Sequence, residues 1–106
     1  MATGRLGAAD IAATTNTTVY TCPAATYAVV AVNICNRSGT LSSDIRVALA
    51  TLDTPTDAEY IEYDVAVGPK NVIERTGVVL SAGQRIVVYS SLANISTVVV
   101  GIETAA

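Results

Sequence analysis

The sequence predicts an all-β protein: an antiparallel β-sandwich of seven or eight short strands, in jelly-roll or immunoglobulin-like order, with a short N-terminal arm. Three observations carry this reading. Val, Ile and Thr make up 37 of 106 residues, and these β-branched types lose rotamer freedom in helices while packing well on a pleated surface. Turn chemistry recurs at short, fairly even intervals, from Pro23-Ala24-Ala25-Thr26 to Leu92-Ala93-Asn94. The runs between those turns have strand length, and several alternate with period two.

Residues 1–16 form the predicted arm and residues 17–106 the single sandwich domain. Gly4, Gly7, Ala8, Ala9, Ala12 and Ala13 give the arm little packing volume. Its own burial could not offset a backbone ordering cost of about 1–2 kcal/mol per residue. The arm is therefore expected to lie across a neighbouring subunit, with Arg5, Leu6, Asp10 and Ile11 as contact residues and a strand over Asp10 to Thr14. The next run, Thr17 to Cys22, leads through the Pro23 turn as a hairpin into Tyr27 to Asn36. In that strand Ala28, Val30, Val32 and Ile34 make a bulky face, and Val29, Ala31, Asn33 and Cys35 a second uncharged one. Such a strand is central or covered.

Asp44 to Thr51 sets Ile45, Val47 and Leu49 against Arg46, Ala48 and Ala50. In Glu59 to Val67, the residues Ile61, Tyr63, Val65 and Val67 are expected inward, with Glu62 and Asp64 outward beside Tyr60. Val72 to Leu80 follows the Gly68-Pro69-Lys70-Asn71 turn. Gln84 to Ser91 follows Ser81-Ala82-Gly83-Gln84, and Ser96 to Glu103 closes the series. Consecutive valines in the last two leave little polar side for solvent, and exposed they would invite edge pairing.

Composition narrows the function. Charged residues are 14% of the chain against an ordinary quarter, while hydrophobic residues reach 51%. Something other than water is expected to cover part of so small a domain. With no His there is neither a default general base near neutral pH nor an imidazole ligand. No enzyme, metal or cofactor is expected. The six basic residues are scattered singly, which argues against nucleic acid. The stretch between Asp10 and Arg37 is free of charge but rich in Thr, Asn and Pro, so no membrane span is expected. Met1 to Asp10 lacks the apolar core of a signal peptide, which predicts folding in the cytoplasm.

Cys22 and Cys35, placed about eight strand positions apart by the hairpin register, are expected to be free, mostly buried thiols. The acidic residues Asp53, Asp57, Glu59, Glu62 and Asp64 lack calcium-loop spacing. They read as a solvated face or a subunit contact, with Glu59, Tyr60, Glu62 and Asp64 as its candidate residues. Tyr60, Tyr63 and Tyr89 leave one alternative, a sugar-stacking platform.

The segments Met1-Ala2-Thr3-Gly4-Arg5-Leu6-Gly7, Thr14-Thr15-Asn16-Thr17-Thr18-Val19-Tyr20-Thr21 and Val30-Ala31-Val32-Asn33-Ile34-Cys35-Asn36-Arg37 are followed by Ala58-Glu59-Tyr60-Ile61-Glu62-Tyr63-Asp64. Then come Ile73-Glu74-Arg75-Thr76-Gly77-Val78-Val79-Leu80 and Ala82-Gly83-Gln84-Arg85-Ile86-Val87-Val88-Tyr89-Ser90. Together they resemble small structural proteins of tailed bacteriophages, particularly phages of cyanobacteria. The resemblance implies a non-enzymatic virion component with a β-sandwich fold. Within that class a capsid decoration or cement protein is expected, with the major capsid protein or other virion subunits as partners. A homo-oligomer is expected as well, a trimer being one closed form that fits. A tail, baseplate or fibre-associated part and a carbohydrate-binding host-attachment module are the alternatives.

Overall fold

A computed structural model describes residues 2–106. Met1, where the predicted arm begins, lies outside the described residues. Eight strands follow one another: β1 (Thr3–Ile11), β2 (Thr17–Thr21), β3 (Thr26–Asn36), β4 (Ser43–Ala50), β5 (Tyr60–Val67), β6 (Val72–Leu80), β7 (Arg85–Ser90) and β8 (Ile95–Ala105). One turn of 3-10 helix, Asp57–Glu59, interrupts the β4–β5 loop. The strands form two four-stranded sheets, ordered β1-β8-β3-β6 and β2-β7-β4-β5, with antiparallel pairing throughout. First pairs with last, second with seventh, third with sixth and fourth with fifth, as in one long hairpin rolled up on itself. That order is the jelly roll, and it sets aside the immunoglobulin-like alternative.

Strands β2 to β8 begin and end within two residues of their predicted runs, whereas the first sixteen residues do not behave as an arm. Strand β1 pairs with β8 from Thr3↔Ile102 to Ile11↔Ile95, and Ile11 is buried in the chain's own core. A backbone ladder, rather than side-chain volume, orders this segment. Its small residues let the two sheets close on each other: a Cβ on Gly7 would fall 2.2 Å from the Val19 carbonyl oxygen of β2. Glu103 secures the same corner. Its carboxylate accepts from the Tyr20 hydroxyl at 2.6 Å and from the Ala2 amide at 3.1 Å, while its own amide donates to the Ala2 carbonyl at 2.9 Å.

The predicted hairpin across Pro23 is also corrected, because β2 and β3 belong to opposite sheets. The turn carries the chain from one sheet to the other, held by Cys22 N–H to the Gln84 carbonyl and Gly83 N–H to the Cys22 carbonyl, each 2.9 Å. Both cysteines are free. Cys22 is buried with its thiol 3.4 Å from the Thr26 carbonyl, and Cys35 sits half-buried in the register row that pairs it with Ser96. The register from which their separation was predicted therefore does not exist.

Between the sheets lie Ile11, Ile34, Ile45, Leu80, Ile86 and Ile95 with Val32, Val47, Val88 and Val99. Buried polar groups at one end are matched. The Asn36 amide donates to the Leu41 and Val67 carbonyls at 2.9 Å and accepts from Ser38 N–H at 2.9 Å. Thr97 differs, since it is fully buried and its hydroxyl has no hydrogen-bond partner among the described residues. Thr97→Val keeps the shape and removes an unsatisfied group, so it should raise stability by about 1 kcal/mol, measured by denaturant unfolding. Gly7→Ala should do the reverse, lowering stability by about 2 kcal/mol or more, because the obstacle its Cβ meets is backbone.

Candidate functional site

The outer faces of the two sheets differ, and the difference begins in β5. Asp64 has φ 53°, a left-handed conformation that Asp tolerates better than most residues. The β4–β5 register slips between Ile45 and Val47 and again between Val47 and Ala48. Each slip reverses the alternation. Glu62 therefore stands opposite Val47, with its side chain 12% exposed. Ile61 and Tyr63, expected inward, are exposed. Glu62 is not left as an unpaired charge. It forms an ion pair with Arg75 of β6, bridging the two sheets along the side where β5 faces β6.

The outer face of the β2-β7-β4-β5 sheet is covered by the chain itself. Ala48, Ala50 and Val87 form a second small core beneath Tyr60. The β4–β5 loop brings Asp53 to the Thr18 hydroxyl of β2 and the Arg85 guanidinium of β7, both at 2.6 Å. Glu59 closes that loop by accepting from the Thr56 amide at 2.8 Å and the Thr51 amide at 3.2 Å. Beside it the Arg46 guanidinium lies 4.3 Å from the Tyr63 ring centroid and 4.5 Å from that of Tyr89, and donates to Asp64 at 2.6 Å. Tyr60 meets Tyr63 edge to face at 5.0 Å. Asp53, Glu59, Asp64, Tyr60, Tyr63 and Tyr89 thus all make contacts within the chain.

The outer face of the β1-β8-β3-β6 sheet is open. Register places Val98, Val100 and Ile102 of β8 on it, in rows with Asn33, Ala31 and Val29 of β3. Val79 of β6 extends the row of Val29, and Ala8 and Thr3 of β1 extend those of Val98 and Ile102. Ile102 is 56% exposed, Val79 57%, Val29 44% and Tyr27 40%, values that belong to residues awaiting cover rather than to a core. Charges stand at its margins: Arg5 and Asp10 on β1, Glu74 on β6.

All four edge strands carry a register break: β1 between Arg5 and Gly7, β2 between Thr18 and Tyr20, and β5 and β6 opposite Val47 and Val32. The pairings β3–β8 and β4–β7 at the centres of the sheets have none. Bulged edges resist continuation by a foreign strand, so association through the flat face is favoured over association through an edge.

Of the residues singled out from the sequence, Arg5 lies at the margin of the open face and Asp10 pairs with Arg37 at 2.6 Å. Leu6 packs against the core, and Ile11 is within it. Glu59, Tyr60, Glu62 and Asp64 all make the internal contacts described above. Sequence reasoning marked the uncharged second face of β3 and the valines of β8 as needing cover, but could not set them side by side, because that depends on which strands become neighbours. One signal was present: Gly77, in the middle of β6 with φ 69°, marks the bulge there. Among the described residues, no group of three or more Cys, Asp or Glu is placed to hold a metal ion, and no helix is long and apolar enough to cross a membrane. Compared with known proteins, the chain matches no family model and no curated sequence.

Three carboxylates are held below their ordinary range. Glu59 is lowered chiefly by the Thr56 amide, Asp53 by the Thr18 hydroxyl and then Arg85, and Glu103 by the Tyr20 hydroxyl and then the Ala2 amide. A carboxylate whose pKa is depressed by folding stabilises the fold above its unfolded value of about 4 and loses that contribution as pH falls toward the folded value. Melting temperature should therefore hold between about pH 7 and pH 5 and drop below about pH 4. Glu103→Gln should flatten part of that drop.

Proposed function

We propose that this protein is a non-enzymatic structural component of a tailed-bacteriophage virion, a decoration or cement protein on the capsid exterior with the major capsid protein as its main partner. The observation that carries the reading is the open outer face of the β1-β8-β3-β6 sheet, apolar at its centre and charged only at its margins, on a chain whose four edges are all bulged. A surface of that kind marks a site for a neighbour, whether another copy of the chain or another virion subunit. The resemblance of the sequence to phage structural proteins gives the neighbour its class. Jelly rolls recur in viral capsid proteins, and also in lectins and cupins, so the architecture is compatible with the proposal without assigning it.

A sugar platform built on Tyr63 and Tyr89 is the weaker reading, because the Arg46 guanidinium already stacks on one face of each ring. A tail, baseplate or fibre part would use the same open face, and copy number separates it from capsid decoration. Quantitative mass spectrometry of purified particles, with heads and tails separated and the chain normalised to the major capsid protein, should give hundreds of copies that follow the heads. A handful of copies in the tails would move the protein there, and absence from particles would end the virion reading.

A further inference from the structure

We infer that the open face of the β1-β8-β3-β6 sheet is covered by a second copy of this chain, packed face to face about a two-fold axis parallel to the strands. The argument stands on the placement of charge and on area, and does not require the virion reading. Four of the five arginines are in ion pairs among the described residues: Arg37, Arg46, Arg75 and Arg85. Arg5 has no ion-pair partner there, and neither has Glu74. These two stand on opposite margins of the same face. Arg5 is in the row of Val100 on β1, and Glu74 on β6 is in the row of Asn33, which is also the row of Val98.

A two-fold axis along the strands exchanges the β1 and β6 margins and keeps the position along each strand. Arg5 of one copy then faces Glu74 of the other, offset by two residues, or about 7 Å along the strand. Two flexible side chains span that offset, and the symmetry makes the contact twice. An in-plane axis across the strands would instead set Arg5 beside Arg5 and Glu74 beside Glu74, which like charge opposes. Aligned packing of two such sheets is the ordinary sandwich geometry. Four strands about 4.8 Å apart, over the rows from Ser96 to Thr104, make a face of roughly 500 Å2. Two copies would bury about 1,000 Å2, the lower bound of a specific interface.

Sedimentation velocity of the purified chain over a range of concentrations tests this. The expected species is a dimer. Ile102→Lys, a change on the open face, should yield a monomer with an unchanged circular dichroism spectrum, and Val79→Lys on β6 provides a second such variant. Arg5→Glu and Glu74→Arg should each weaken dimerisation roughly tenfold, and the double swap should restore it to within a few-fold. A monomer at every concentration, a trimer, a dimer indifferent to both lysine variants, or a double swap weaker than either single change would each overturn the inference. A monomer that still binds heads would assign the face to the capsid surface and leave the virion reading intact. A dimer absent from particles would do the opposite.

Discussion

The unbroken ladder between β3 and β8 is the constraint on which the rest of the molecule depends. From Thr26↔Ala105 to Asn36↔Ile95 the two strands pair without a slip. Side chains alternate strictly along such a ladder, so its phase fixes two surfaces at once. Inward it delivers Ala28, Val30, Val32, Ile34 and Val99 to the core. Outward it delivers Val29, Ala31, Val98, Val100 and Ile102, an equally apolar row in which Val29 and Ile102 stand exposed. A one-residue slip of either strand would exchange that strand's inward and outward sets and leave the core hardly less hydrophobic. What opposes the slip is the periphery: the Glu103 carboxylate holding Tyr20 and Ala2, and the crowded approach of Gly7 to Val19.

Around that spine the edges are irregular, and the irregularities have separate uses. The bulges of β5 and β6 turn Glu62 and Arg75 toward each other, so the gap between these two edge strands is closed by an ion pair in place of apolar side chains. The break in β1 lies beside Gly7, at the point of closest approach to β2. The β4–β5 loop and Arg46 with its tyrosines cover part of the β2-β7-β4-β5 sheet, whereas Val29, Val79 and Ile102 on the opposite sheet stay exposed.

The sequence made the fold class readable because β-branched runs and turn residues are local signals. The ends of seven strands followed from them to within two residues. Strand order was not readable, since it depends on pairings between residues far apart, and the hairpin assumed at Pro23 shows the cost of treating neighbours in sequence as neighbours in space. The first strand was misread for a related reason. Gly7, Ala8 and Ala9 carry little volume, yet a strand is held by its backbone, and β8 supplied the partners. The acidic segment was misread through its phase: alternation from Ile61 to Val67 is correct only if no residue is bulged, and Asp64 is. The open face emerged only when β8 was placed beside β3, for each strand alone reads as an ordinary buried valine run.

The pairing of the first strand with the last governs how this chain reaches its native state. Ala2 and Glu103 are 101 residues apart in sequence and bonded in the fold. Strand β8 lies between β1 and β3, and it leaves the ribosome after every strand it joins. Until then β1 has no ladder, and β3 shows both its apolar faces to solvent or to a chaperone. Contacts of such long sequence separation must bear the entropy of closing the whole chain before they gain anything in return, which makes folding slow and concerted rather than stepwise during synthesis. In that interval β3 is the segment most exposed to intermolecular pairing, so expression temperature and chaperone supply should govern the yield of soluble protein more than the stability of the finished fold does.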